Sequence, residues 1–172
     1  MYNHIIKGIL MFEKFKEYII SYIYNISKQP VKLSELLEAN TLFNEGMNLD
    51  GTRLGFRLRT GRAYLVFILL IQIIVIPLSF LMHELFAMLD CHASIIVAVI
   101  FTAFLFGVFS CFKDWTRDSV TRERIKQMWV LHFPHFPYNE FNKEVSTIYE
   151  KAKEDDIKQV NLERYILDNL SA

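Results

Sequence analysis

The side chains best suited to chemistry cluster in one short segment, residues 83–92. Five of them are of types that ligate metals: His83, Glu84, Asp90, Cys91 and His92. Imidazole, thiolate and carboxylate groups bind Zn or Cu, so a metal site here is chemically feasible. Their spacing matches no standard ligand motif, however, and polar residues commonly end apolar helices at a water interface. We favour that second interpretation and predict neither a bound metal nor any other cofactor.

Two further patterns could support chemistry, and we interpret both as structural. His132 and His135 form an HxxH pair that could chelate a metal, but Pro134 lies between them and spoils helical presentation. An aromatic–proline connector at the membrane surface explains them better. Cys91 with nearby histidines could suggest thiol catalysis, but no orienting partner or oxyanion loop is visible. We therefore predict that the protein is not an enzyme.

The reactive segment separates two apolar stretches, residues 63–82 and 93–112. Each is 20 residues long and contains no Lys, Arg, Asp or Glu. Since a helix rises 1.5 Å per residue, each spans about 30 Å, the thickness of a bilayer's hydrocarbon core. With only ten residues between them, they predict a transmembrane helical hairpin in an all-α membrane protein. The alternative is two long buried helices of a soluble protein, which would normally show a polar stripe.

Basic residues close to the two stretches predict the orientation. Nine of them flank the stretches: Arg53, Arg57, Arg59, Arg62, Lys113, Arg117, Arg122, Arg124 and Lys126. The loop at 83–92 has none, so the positive-inside rule places both termini in the cytoplasm of a bacterial-type inner (plasma) membrane. Tyr64 and Trp115 stand where interface anchors are expected. The four arginines before the first stretch either favour anionic lipid or only set orientation, and we favour orientation alone.

Both flanks are predicted to be cytoplasmic and helical. Residues 1–62 hold an amphipathic helix over 5–26, which could lie on the inner leaflet or pack on the C-terminal helices, and a basic linker. A short helix follows at 34–40 with Ser34 as its N-cap, and an alternating segment at 54–58 is extended but has no strand to pair with.

The C-terminal region, residues 113–172, is predicted to contain three helices. The first runs from about 113 to 131 and must break at the prolines of 132–137. Asn139 is expected to cap the second, which places Phe141, Val145, Ile148 and Ala152 on one face. A short helix at 161–170 closes the chain.

Small and polar residues within the apolar stretches predict helix packing. Ser94, Ala98 and Thr102 recur every four residues, as do Ala103, Gly107 and Cys111 on the opposite face. Small residues let helices approach closely in lipid, so one row could receive the first stretch and the other a further chain. Ordinary scatter of small residues is the competing explanation. Gln72 lies mid-way along the first stretch and needs a hydrogen-bond partner there.

Charge and layout together suggest an accessory role. The chain carries 19 basic and 19 acidic residues, without the basic balance of a nucleic-acid binder. The layout is similar to that of small two-span subunits of secretion or conjugation machines, in organisation only and without a diagnostic motif. We predict a structural or accessory subunit that docks membrane or cytoplasmic partner proteins. One alternative is an oligomeric transport or channel component, which would require a homo-oligomer and could handle metal at the outer loop. Another is a peripheral regulator whose N-terminal helix senses lipid.

Overall fold

The computed structural model describes residues 2–87 and 91–171, and most of that chain is helical. Its elements are α1 (Tyr2–Ile23), β1 (Tyr24–Ile26), α2 (Leu33–Asn44), β2 (Phe56–Leu58), α3 (Thr60–Leu81), α4 (His83–Ala87), α5 (Cys91–His132), α6 (Tyr138–Glu154) and α7 (Gln159–Leu170). They form two compact units. The first unit takes in residues up to Asn25 and Leu58–Thr116, and the second takes in Ile26–Arg57 and the residues from Arg117 onward.

Two helices of the described chain are long and apolar enough to cross a membrane. They are Thr60–Leu81, which is α3, and His92–His132 of α5. Only 6% of the most apolar window of each is buried. In this respect the two helices differ from the core helices of a soluble protein, which hide their apolar side chains. Pro77 lies inside α3, which continues to Leu81.

The first unit also contains α1, which packs against α3. Near the end of α1, Ile19, Ile20 and Ile23 are buried. Arg62 of α3 donates a hydrogen bond of 3.4 Å to the Tyr22 carbonyl and lies 4.9 Å from the centre of the Tyr22 ring. Earlier in α1, the large apolar side chains are exposed: Ile6, Ile9, Leu10, Met11, Phe12 and Phe15. The face predicted for an amphipathic helix is thus covered only at its C-terminal end.

The second unit is a small helical domain with its own apolar core. Its core residues come from α2, the end of α5, α6 and α7: Leu37, Trp129, Phe133, Val145, Ile148, Tyr149, Ala152, Leu162 and Ile166. The Trp129 indole N–H donates a 2.7 Å hydrogen bond to the Phe136 carbonyl, which ties the proline-containing turn to α5. The predicted apolar face of α6 is confirmed, since Val145, Ile148 and Ala152 are buried.

A buried arginine organises the connecting segments of the second unit. Arg124 is 5% exposed. Its Nε donates to the Leu54 carbonyl at 3.0 Å and its Nη2 donates to the Gln29 carbonyl at 2.8 Å. Burial lowers the pKa of Arg124 from its ordinary value. Gly55 lies beside the Arg124 guanidinium with φ at +75°, a backbone conformation that favours glycine. A side chain there would also crowd Ser27, because its Cβ would lie 3.2 Å from the Ser27 Cβ.

A polar network lies between α2 and α6. The Asn40 amide, fully buried, donates to the Asn142 carbonyl at 2.7 Å and to the Ser146 hydroxyl at 2.8 Å. The Asn44 amide donates to the same two oxygens. The Asn40 Oδ1 and the Thr41 Oγ1 are buried without any hydrogen-bond partner within the described residues. This seam fixes the register of α2 against α6 at the cost of two unsatisfied atoms.

The extended segment near residue 56 does have a partner strand, which corrects the prediction of an unpaired linker. β2 pairs with β1, and hydrogen bonds join Ser27 to Gly55 and Arg59 to Ile23. Along these hydrogen-bonded pairs the residue number rises in one strand and falls in the other, so the two strands are antiparallel. The predicted helix over 5–26 therefore ends at Ile23, because residues 24–26 satisfy their backbone groups in this ladder.

Both predicted helix caps are wrong. Lys32 occupies the N-cap of α2 and Pro137 that of α6, and neither makes a side-chain capping bond. Ser34 and Asn139 are instead the second residues of α2 and α6. Pro137 suits the N-cap because its backbone is extended, and its carbonyl accepts hydrogen bonds of 3.1 Å from the Glu140 and Phe141 N–H groups. The break after α5 at His132 is confirmed, and α5 runs unbroken through residue 113.

Candidate docking surfaces on the apolar helices

Aromatic side chains join α3 to α5 at one end of the two helices. The Tyr64 and Phe109 rings stack with centroids 4.1 Å apart, and Phe67 meets Phe109 edge-on at 5.1 Å. Phe112 lies 5.7 Å from Phe67 and 6.3 Å from Trp115. We call these five residues the aromatic cluster. Phe67 and Phe109 are its buried members, so aromatic packing joins the two helices at this end.

Beyond the aromatic cluster, α3 and α5 border an apolar cleft of about 420 Å³. α3 contributes Val75, Leu78, Ser79 and Met82, and α5 contributes Ser94, Val97, Ala98 and Phe101. The Ser79 hydroxyl donates to the Ile76 carbonyl at 2.7 Å, so its hydrogen bond is made within its own helix. The cleft thus offers almost no free polar group and suits an apolar occupant.

A second groove, of about 470 Å³, runs along α5 alone. It is lined by Ile95, Ala98, Val99, Thr102, Ala103 and Phe106. The row expected from Ser94, Ala98 and Thr102 is therefore shared between two surfaces: Ser94 lines the cleft, Thr102 lines the groove, and Ala98 lines both. Thr102 donates to the Ala98 carbonyl at 2.7 Å.

Gly107 faces open space on α5. Apart from the backbone of its own helix turn, no described atom lies within 4 Å of where a Cβ would stand at this position. No part of the described chain therefore packs on Gly107, and the residue leaves a flat site at which a second backbone could approach.

Gln72 of α3 is exposed near the middle of that helix. Its side-chain amide makes no hydrogen bond within the described residues. In water such an amide would be hydrated, but in hydrocarbon each unsatisfied polar group costs free energy. If α3 crosses a membrane, Gln72 is the position that most needs a partner.

The residues of metal-ligating type in segment 83–92 lie in two places, the short helix α4 and the start of the long helix α5. His83 and Glu84 begin α4, and His92 lies at the start of α5. Asp90 lies outside the described residues, and of Cys91 only the helical backbone is described. Among the side chains that the structure describes, no group of three His, Cys, Asp or Glu comes together as a metal site would require.

The two histidines of the HxxH pattern have different surroundings. His132 Nε2 is 3.0 Å from the Val31 carbonyl, so this imidazole makes a structural hydrogen bond in the second unit. His135 is exposed in the turn after α5. This geometry favours the interpretation of the segment as a connector, whose shape is held by His132 and Trp129.

The four arginines ahead of the first apolar stretch, of which Arg62 lies in the first turn of α3, have four different environments. Arg53 forms an ion pair with Glu38 at 2.6 Å, and Arg59 donates to the Asn25 side chain at 3.3 Å. Arg62 is engaged with Tyr22, as described above. Arg57 is exposed. Of the four, Arg57 is the one whose charge is most available to lipid headgroups.

Sequence reasoning missed most of the aromatic cluster. Tyr64 and Trp115 were expected as interface anchors, but Phe67, Phe109 and Phe112 were not singled out. A usable signal existed, since Phe109, Phe112 and Trp115 recur every three residues, the spacing of one helix face. Comparison with protein-family models, with curated proteins and with solved structures finds no match to this chain.

Proposed function

We propose that the protein is a two-span accessory subunit of a bacterial-type inner membrane, with both termini in the cytoplasm. In this role α3 and the apolar part of α5 cross the bilayer, and the second unit is the cytoplasmic domain. The chain docks other membrane or cytoplasmic proteins rather than catalysing a reaction. A secretion or conjugation machine is the kind of complex to which such a subunit would belong.

The observation that carries this proposal is the unpartnered Gln72. A polar amide in the middle of a membrane helix is stabilised when it bonds across to another helix, by about 1–2 kcal/mol in model peptides. The described part of this chain supplies no such bond, which supports a partner group on another chain. The open site at Gly107 and the groove on α5 supply a second face at which helices can approach closely.

Crosslinking in native membranes tests the proposal. Gly107→Leu places a bulky side chain where backbones would meet, and overpacking of this kind costs about 1–3 kcal/mol. Gln72→Leu removes the amide and leaves an apolar side chain. Both variants should insert normally, because Leu is favourable in lipid, and both should lose a crosslinked product that the wild-type chain forms.

Matched controls are Phe104→Leu and Ile73→Leu, which change neighbouring exposed positions without touching the amide or the small-residue site. The mass of the product identifies the partner. A heterologous protein supports the accessory subunit, whereas a second copy of the chain supports the oligomeric transport or channel alternative. If both test variants crosslink like the wild type, Gln72 and Gly107 face lipid and the docking proposal fails.

The orientation has its own test in the two native thiols. Cys91 should react with a membrane-impermeant maleimide added outside spheroplasts, because it precedes the second span on the outer side. Cys111 lies near the opposite end of that span and should not react until the membrane is permeabilised. Labelling of Cys111 but not Cys91 in intact spheroplasts would reverse the topology.

A further inference from the structure

A polar cleft of about 400 Å³ in the second unit lies where two helices begin. α2 begins at Leu33 and α7 begins at Gln159. Lys32 and Ser34 line the cleft from α2, and Gln159 lines it from α7. In contrast to the surfaces of α3 and α5, this cleft is walled mainly by polar groups.

Neither helix is capped by a side chain at the cleft. The N-cap residues are Lys32 and Lys158, and neither makes a side-chain capping bond. The first backbone N–H groups of a helix have no acceptor within the helix and carry a partial positive charge. Two uncapped helix starts beside one cleft therefore favour a negatively charged occupant.

An independent pointer to a ligand is Tyr149 of α6, which also lines the cleft. This residue is 7% exposed, and its ring belongs to the apolar core of the second unit. Its hydroxyl makes no hydrogen bond within the described residues. Burial and the nearby charge of Glu38, another cleft residue, raise the pKa of Tyr149. Its hydroxyl can donate a hydrogen bond to an acceptor in the cleft.

The charges around the cleft limit how negative the occupant can be. Glu38 is neutralised by its 2.6 Å ion pair with Arg53. Lys32 and Glu35 are the remaining charged residues of the lining, and they balance each other. The helix starts then leave a modest positive potential, which suits a single negative charge. A second negative charge on the occupant would be opposed by Glu35, the other carboxylate of the lining.

We propose that this cleft binds a carboxylate, with Tyr149, Ser34 and the α2 N–H groups as donors. The carboxylate comes either from a small free acid or from the C-terminus of a peptide chain. The site is separate from the intramembrane surfaces, so a chain that crosslinks normally through α3 and α5 yet fails to bind carboxylate refutes this proposal alone.

Ligand-observed NMR titration of the full chain in detergent micelles provides the test. The probes are acetate, triglycine, triglycine amide, inorganic phosphate and methylammonium, at constant ionic strength. We expect saturable binding of acetate or triglycine, and none of triglycine amide or methylammonium. Comparable acetate and triglycine affinities indicate a free acid, whereas triglycine binding much more tightly than acetate indicates a peptide C-terminus.

Tyr149→Phe removes the hydroxyl and keeps the ring in the core. It should weaken carboxylate binding about tenfold, the loss expected for one hydrogen bond to a charged group. The matched control is Tyr165→Phe, which deletes a hydroxyl bonded instead to Asp155 and should bind as the wild type does. Ser34→Ala, an independent variant at the helix start, should also weaken binding.

Three results would overturn the proposal. The first is that neither acetate nor triglycine binds the wild-type chain saturably. The second is that Tyr149→Phe and Ser34→Ala both bind with wild-type affinity. The third is that inorganic phosphate binds more tightly than either carboxylate, which would contradict the charge balance of the cleft.

Discussion

Replacing Arg124 by Met should destabilise the second unit without affecting the apolar helices. Arg124 joins two connecting segments to α5 through the carbonyls of Leu54 and Gln29. Met has a similar length and fits an apolar environment, but it donates no hydrogen bond. The substitution therefore isolates the two hydrogen bonds from the packing of the side chain.

The expected magnitude follows from the two acceptors. A hydrogen bond to a charged group is worth about 1.5–3 kcal/mol, and a buried acceptor left unpaired carries a further penalty. Leu54 is fully buried, so its carbonyl is left unpaired, whereas Gln29 is exposed and its carbonyl can be hydrated. Met carries no charge, so the variant avoids the cost of desolvating the buried guanidinium, and this offsets part of the loss. We expect the free energy of unfolding to fall by about 2 kcal/mol.

Urea unfolding of the full chain in micelles measures this change. In a Trp115→Phe background, the fluorescence of Trp129, in the core of the second unit, reports on that unit alone. The control is Arg122→Met, an exposed neighbour whose guanidinium lies 5.6 Å from the Phe43 ring centre and should contribute less than about 1 kcal/mol. Arg124→Met unfolding within about 0.5 kcal/mol of the wild type would refute the assigned role of the two hydrogen bonds.

Three further predictions concern other features. Thr41→Val removes a buried, unpaired hydroxyl and should raise the free energy of unfolding by about 1 kcal/mol, whereas Thr147→Val, at an exposed position, should not. A lower free energy of unfolding for Thr41→Val would mean that the Thr41 hydroxyl is hydrated. Burial raises the pKa of Tyr149, so the folded chain keeps a proton that the unfolded chain loses, and stability measured by urea should fall as pH rises above about 10; Tyr149→Phe should lessen that fall. Phe109→Ala removes three aromatic contacts and should weaken the association of α3 with α5 by about 2 kcal/mol in a steric-trapping assay, with exposed Phe106→Ala as the control that should change little.

The long apolar helices and the break at the prolines could be predicted because each depends on strong local signals. Twenty consecutive apolar, uncharged residues are typical of a long apolar helix, and Pro134 disfavours helical geometry at Phe133. The caps could not be predicted in the same way. Ser34 and Asn139 are good N-cap types, but Lys32 and Pro137 are the residues whose backbones are extended where the helices begin, so they take the N-cap positions.

Contacts between residues distant in the sequence could not be predicted from it. The strand at 56–58 alternates clearly, but its partner at 24–26 continues an apolar helical pattern, and only the ladder with β2 reveals it. Arg124 was one of nine bases that indicated orientation. Nothing in its spacing distinguishes a buried arginine from an exposed one, because its two acceptors are backbone carbonyls about 70 and 95 residues away.

The same distinction between local and distant information applies to the candidate sites. The small-residue rows were visible in the sequence, yet their division between the cleft and the outer groove depends on how α3 lies against α5. Within a bilayer an apolar cleft is filled by lipid chains or by a helix, and neither is favoured by burial of apolar surface alone. A polar contact decides between them, because a lipid chain cannot bond an amide. Gln72 is therefore the residue at which docking of another chain and simple exposure to lipid make different predictions.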